Sequence, residues 1–92
     1  MSNERFESVW DALADSSSEA ANLSARAGLM REIIGIVREN GWKQAEAAQH
    51  LGVTQPRVND LLHGRVSRFS LDALVIMAAH MGRKTHVELL AA

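Results

Sequence analysis

The chain is expected to fold as a single all-α domain, and three features of its 92 residues lead there. Hydrophobic residues make up 47% of it with a single proline, and Ala and Leu, both strong helix formers, dominate them. Apolar residues recur at spacings of three and four rather than two. Glycines at 41, 64 and 82 fall just past the ends of those periodic stretches, where a helix needs a left-handed residue to stop. A chain of this length buries one modest core and commonly adds a second copy to it.

Each element follows from the same reasoning. In residues 5–14, Phe6, Val9, Trp10 and Leu13 share one face of a short amphipathic helix, which DSSSEAAN then breaks. Ser17 or Ser18 is placed to cap the next helix, with Glu19 favourable near its positive end. From about Ser18, the set Leu23, Ala27, Met30, Ile33, Ile34 and Val37 predicts one long helix ending at Asn40-Gly41. Gly28 and Gly35 weaken it slightly, and Gly35 is expected to mark a close helix contact. A helix from about Lys43 to Leu51 comes next, then the turn Gly52-Val53-Thr54 and a helix from Gln55 to His63 closed by Gly64. After a loop from Arg65 to Phe69, Ser70 should cap a helix over Leu71 to Met81, with Asp72 in its first turn and Gly82 stopping it. The tail alternates Thr85, Val87 and Leu89 against Lys84, His86 and Glu88, a short-strand pattern. A lone strand in a helical chain needs a partner, and the same strand of a second copy supplies one.

Composition excludes several classes. Without cysteine there are no disulfides or thiolate metal sites, in keeping with a reducing cytoplasm. No apolar run approaches the roughly 18 residues that span a bilayer, and MSNERFESVW lacks the apolar core of a signal peptide, so no membrane association is expected. His50, His63, His80 and His86 show no ligand spacing on one element, so no metal or other cofactor is expected. Trp10, Trp42, Met30, Met77 and Met81 are read as core filling. No nucleophile triad, carboxylate pair or glycine-rich phosphate loop stands in a catalytic setting, and the chain does not read as an enzyme. The formal net charge of −1 hides an uneven distribution. Residues 1–30 sum to −3 and residues 31–86 to +3, so an acidic front precedes a basic body able to attract phosphates.

Residues 44 to 63 are the most informative. Two helices crossing through a tight turn need small residues at the contact, a glycine at the turn and apolar anchors on the second helix. Ala47 and Ala48, Leu51, Gly52, Val53, Val58 and Leu61 meet these demands in order, predicting a helix-turn-helix over 43–64. The segment QAEAAQHLGVTQPRVNDLLHG resembles the helix-turn-helix of the phage-repressor-like (XRE) regulators. The longer block from Asn22 to Leu89 is similar to the HigA-type antitoxin branch of that family, most specifically at QAEAA, LGVTQPRV and RFSLDAL. The resemblance implies a five-helix phage-repressor-like domain, a homodimer, double-stranded operator DNA as ligand and a RelE/ParE-like toxin as partner. Lys43 departs from it, because the family usually has Ser or Thr there. This weakens the cap and puts a cation where the helix end should face phosphate.

In such a motif the second helix enters the major groove with its N-terminal residues toward base edges. Thr54 is a natural N-cap, and Pro56 is tolerated in the first turn and offers an apolar surface to a thymine methyl. Gln55, Arg57 and Asp60 lie away from Val58 and Leu61. Gln55 suits adenine and Arg57 guanine, while Asp60 either accepts from cytosine or orients Arg57. Gln44 matches the family position that meets a phosphate, and Lys43, Asn59, Arg65, Ser67 and Arg68 are the other phosphate candidates. The whole chain, 1–92, reads as one DNA-binding domain. It has an acidic helical extension over 1–22 and a dimerisation strand over 83–90 carrying Thr85, Val87 and Leu89. The function this predicts is an operon-autoregulating repressor and antitoxin whose acidic extension either suits a basic toxin or covers the domain's own core. The alternative is a stand-alone phage-like regulator without a toxin.

Overall fold

The computed structural model of the chain describes residues 17–83. They form four α-helices, α1 (Ser17–Glu39), α2 (Gln44–Leu51), α3 (Gln55–Leu62) and α4 (Leu71–His80), with a 3-10 turn (Val66–Arg68) between α3 and α4. The described residues contain no strand, so the all-helical class holds for them. The helix expected over 5–14 lies outside the described residues. So does the strand expected over 83–90, apart from Arg83, which belongs to no helix.

α1 buries the stripe its periodicity marks, with Met30, Ile33 and Val37 almost fully enclosed. Leu23, read as part of that stripe, is instead 45% exposed, because the neighbouring elements cover only the later turns of the helix. The described part of α1 begins at Ser17, with Ser18 and Glu19 in its first turn. Gly35 is no close-contact site either, since a Cβ built there meets nothing within 4 Å. At its end the Gly41 amide donates to Arg38 O (3.1 Å) and the Trp42 amide to Val37 O (3.2 Å), the paired bonds of a Schellman motif. Trp42 then lies half-buried against the core and stacks on His50, with ring centroids 3.8 Å apart.

The crossing of α2 and α3 meets the steric demands read from the sequence. Ala47, Leu51, Val58 and Leu61 have no exposed surface and Ala48 only 8%. Between the helices Gly52 takes φ 71°, a conformation that costs an L-residue about 1–2 kcal/mol. A side chain would also be crowded, because a Cβ at Gly52 would lie 3.0 Å from ring carbons of His80 in α4. This glycine therefore shapes the turn and admits α4 to it. Lys43 is the N-cap of α2 and has no acceptor for the orphan amides of the first turn. Its own amide donates to Glu46 Oε1 at 3.0 Å, the returning half of a capping box.

α4 begins as expected, Ser70 Oγ accepting from the Ala73 amide at 3.0 Å. It packs along α1 and touches α2, while the 3-10 turn rests on α1. Leu74 and Met77 join Phe69, Ile33, Leu51 and Leu61 in one core, and the described residues contain no buried polar or charged side chain. Phe69, 1% exposed, is the core's aromatic centre, although it was expected only as the end of a loop.

The two glycines should respond oppositely to alanine. Gly52→Ala is expected to lower the unfolding free energy by at least about 1–2 kcal/mol. Gly35→Ala, in an open helix interior, should raise it by roughly 0.5–1 kcal/mol. Urea denaturation followed by circular dichroism measures both, and equal effects of one sign would contradict this account of the turn.

Candidate functional site

The N-terminal end of α3 is an exposed edge of the helix-turn-helix, at Thr54, Gln55 and Pro56. Thr54 occupies the N-cap with extended backbone (φ −79°, ψ 162°), but its hydroxyl makes no capping bond, contrary to the role expected of it. The first-turn amides are thus not satisfied by the cap side chain, and Pro56, in that turn, has no amide to satisfy. Gln55 and Pro56 are exposed while Val58 and Leu61 are sealed in the core, which presents the start of the helix outward.

Positions 59 and 60 point in directions about 100° apart around α3 and carry two different groups. Asn59 Oδ1 lies 3.5 Å from Gln44 Nε2, a weak contact that draws the first residue of α2 to α3. Exposed Lys43 directly precedes Gln44. Asn59 O accepts from the His63 amide at 3.1 Å. His63 Nδ1 lies 2.8 Å from the same oxygen, which can only accept, so Nδ1 carries the proton. Lys43, Gln44 and Asn59, expected separately as phosphate contacts, are therefore neighbours.

The second group is built on the loop after α3. Asp60 Oδ1 accepts from Arg65 Nη1 at 2.7 Å and from Arg68 Nη1 at 3.1 Å. Its side chain is only 14% exposed. Asp60, expected to meet cytosine or to orient Arg57, holds the two loop arginines rather than Arg57. The Arg65 hydrogen bond, reinforced by the charge of Arg68, lowers the Asp60 pKa against the opposing effect of desolvation. The arginines themselves remain 44% and 60% exposed, leaving donors for another anion. Exposed Ser67 lies between them in the 3-10 turn.

Arg57 has a different environment from the one expected. Rather than standing free on the outer face, its guanidinium lies 4.1 Å from the Phe69 ring centroid. Its Nη1 donates to Arg68 O at 2.7 Å. From α1, Arg26 Nη1 donates to Val66 O (3.2 Å) and Phe69 O (3.3 Å), and Arg26 Nε to Asn22 Oδ1 (2.7 Å). Two arginines therefore donate to the loop carbonyls of Val66, Arg68 and Phe69, of which Val66 O also accepts from the Phe69 amide at 3.2 Å. Sequence reasoning missed Arg26 and Phe69. An arginine four residues after an asparagine on a helix, and a lone phenylalanine in a loop, give no periodic signal.

Among the described residues no group of His, Cys, Asp or Glu is arranged to hold a metal ion, and no helix is long and apolar enough to cross a membrane. Thr85, Val87 and Leu89, the dimerisation residues expected in the tail, lie outside the described residues.

Two substitutions separate the roles of the polar edge. Arg57→Ala removes a ring contact and a carbonyl donor and should lower stability by about 1–2 kcal/mol. Gln55→Ala, on an exposed position, should stay within roughly 0.5 kcal/mol of the parent. The Asp60 pKa is depressed in the folded state, so its contribution is complete above the unfolded carboxylate value of about 3.9 and is lost as pH falls through the folded value. The stability gap between the parent and Asp60→Asn should thus be constant from about pH 7 to 5 and shrink below about pH 4. A gap that widens in acid, in denaturation curves taken across that range, would show that Asp60 is not the ionised partner of the arginines.

A family model described as a helix-turn-helix domain matches residues 12–89 of the chain. A comparison with curated proteins finds no match.

Proposed function

The chain belongs to the helix-turn-helix domain family, and from that footing we propose that it is a sequence-specific DNA-binding repressor, acting as a homodimer and as one XRE-like domain over residues 1–92. One observation carries the reading. The N-terminal end of α3 is exposed at Gln55 and Pro56, with the Lys43–Gln44–Asn59 group and the Arg65–Arg68 pair built around the same helix. Base-reading side chains flanked by phosphate-seeking ones are what a helix needs in a major groove.

In this reading Gln55 and Pro56 face base edges, Gln55 pairing with adenine and Pro56 touching a thymine methyl. Arg57 reaches guanine from a guanidinium already held on Phe69, using N–H groups that Arg68 O leaves free. Asp60 acts indirectly, positioning Arg65 and Arg68 for phosphates beside Ser67. Lys43, Gln44 and Asn59 take phosphates at the start of α2. Two copies would present their α3 helices to successive major grooves about 34 Å apart. The similarity of residues 22–89 to HigA-type antitoxins supports a second role, restraint of a RelE/ParE-like toxin encoded beside it. The acidic sequence of residues 1–22 is the feature suited to a basic partner.

A band-shift titration on the DNA upstream of its own gene, at several salt concentrations, tests the DNA reading. A specific complex is expected, with affinity falling steeply as salt rises. Gln55→Ala should cost about 1–3 kcal/mol at one base position. Arg68→Ala should weaken all sequences alike and flatten the salt slope by about one. Failure to form any specific complex at low salt refutes the repressor reading. The toxin is tested separately, by co-purification with the product of a neighbouring small basic open reading frame. A protein that binds DNA and no such product would be a stand-alone regulator.

A further inference from the structure

The contacts around Phe69 join α1 to the exposed end of α3. Phe69 has extended backbone (φ −130°, ψ 127°), so the carbonyls on either side of it point to opposite sides of the chain. Arg57, from α3, donates to Arg68 O at 2.7 Å, and Arg26, from α1, donates to Phe69 O at 3.3 Å. Two guanidiniums from different helices thus hold consecutive carbonyls, one from each side. The buried Phe69 ring carries the Arg57 guanidinium, 4.1 Å from its centroid.

Arg26 is itself held firmly. Its Nη1 also donates to Val66 O at 3.2 Å, so one nitrogen ties the first residue of the 3-10 turn to the residue that follows the turn. Its Nε donates to Asn22 Oδ1 at 2.7 Å, one helical turn earlier on α1. The side chain is half-buried, and no ion pair among the described residues involves it. Its charge is spent on two carbonyls rather than on a carboxylate. α1 is in turn anchored in the core by Met30, Ile33 and Val37, so Arg26 fastens the loop to a packed frame.

We infer that Arg26 is a positioning residue for Arg57. By fixing the backbone from Val66 to Phe69, it places the two groups that hold the Arg57 guanidinium, Arg68 O and the Phe69 ring. The inference rests on the reading of Arg57 as a base contact, and it assigns part of that contact's specificity to a different helix. A guanidinium held in one direction loses less freedom on binding than a mobile one, and its planar fork reads geometry as well as charge. Freed from the loop, Arg57 keeps its charge and loses its direction. The loss therefore falls on discrimination between bases more than on general affinity for DNA.

Arg26→Met, which keeps most of the side-chain length and removes the donors, tests the link in two ways. Without DNA, NMR relaxation of the Arg57 Nε–H group should give an order parameter near roughly 0.85 in the parent and below about 0.6 in Arg26→Met. In band shifts on single-base variants of the operator, Arg57 reads the position whose identity Arg57→Ala no longer senses. Arg26→Met should lower discrimination there at least about fivefold, while affinity for non-specific DNA stays within about threefold. Adding Arg26→Met to Arg57→Ala should lower it no further, because both act through one contact. Asn22→Ala, at an exposed position, loosens Arg26 and should move both readouts the same way by a smaller amount. It keeps the test decisive should Arg26→Met fail to fold, and parent values in both readouts would then overturn the inference. An Arg57 Nε–H as rigid in Arg26→Met as in the parent overturns it whatever the DNA result. So does a loss equal across all DNA sequences, since Arg26 would then act as an ordinary cation. A parent that binds no DNA specifically, with Arg57 released in Arg26→Met as expected, refutes the base reading and leaves the link between the arginines standing.

Discussion

The left-handed turn at Gly52 is the constraint on which the rest of the arrangement depends. α2 and α3 are each eight residues long, too short to hold their shape without packing. They persist because Ala47, Ala48 and Leu51 meet Val58 and Leu61 with almost no exposed surface. That fit requires a turn with positive φ between them, and the same glycine leaves room for His80. The direction of α3, and hence of its exposed first turn, is therefore tied to α4 and through α4 to the long helix α1. Small residues at the crossing do more than save space: they allow two short helices to share one core with two longer elements.

A second level of order lies in how arginines are used. A loop that leaves a helix carries carbonyls with no intrahelical partner, and each one kept from water costs free energy. Here Arg26 supplies a donor to Phe69 O and Arg57 one to Arg68 O, while the Phe69 side chain is buried in the core. Asp60 then restrains Arg65 and Arg68 without enclosing them. Cations restrained in advance lose less freedom on meeting an anion than cations on free side chains. The carboxylate thus acts as a scaffold: it takes one donor direction from each arginine and leaves the others free.

Much of this was legible in the sequence, because steric demands leave residue-type signatures. The crossing alanines, the turn glycine, the serine cap of α4 and the glycine stops at 41, 64 and 82 each follow from a local rule, and each lies where the rule puts it. The errors arose where tertiary partners decide. Thr54 occupies the cap position without capping, and Gly35 meets nothing. Arg57 and Asp60 were correctly taken off the core face of α3, but no helical rule reveals that the loop eleven residues on claims one and holds the other through Arg65 and Arg68. The Phe69 position is invisible to periodicity because it lies between elements. The candidate site was therefore legible as a set of residues and illegible as a set of partnerships.

The partnerships also account for the opposition between a net charge of −1 and a surface suited to phosphate. Charge acts over about 10 Å at ordinary salt, so what counts is which groups share a neighbourhood. Residues 1–30 hold the acidic excess, whereas Arg65 and Arg68 gather around a single aspartate near the end of α3 and Arg57 bonds the Arg68 carbonyl. That aspartate neutralises less than it organises. Replacing it with a neutral residue would raise the local positive charge yet release the two side chains that carry it. A steep attraction and a fixed geometry are thus separate properties of this edge, and Asp60, responsible for the second, stands in the sequence between Arg57 and the Arg65–Arg68 pair that supply the first.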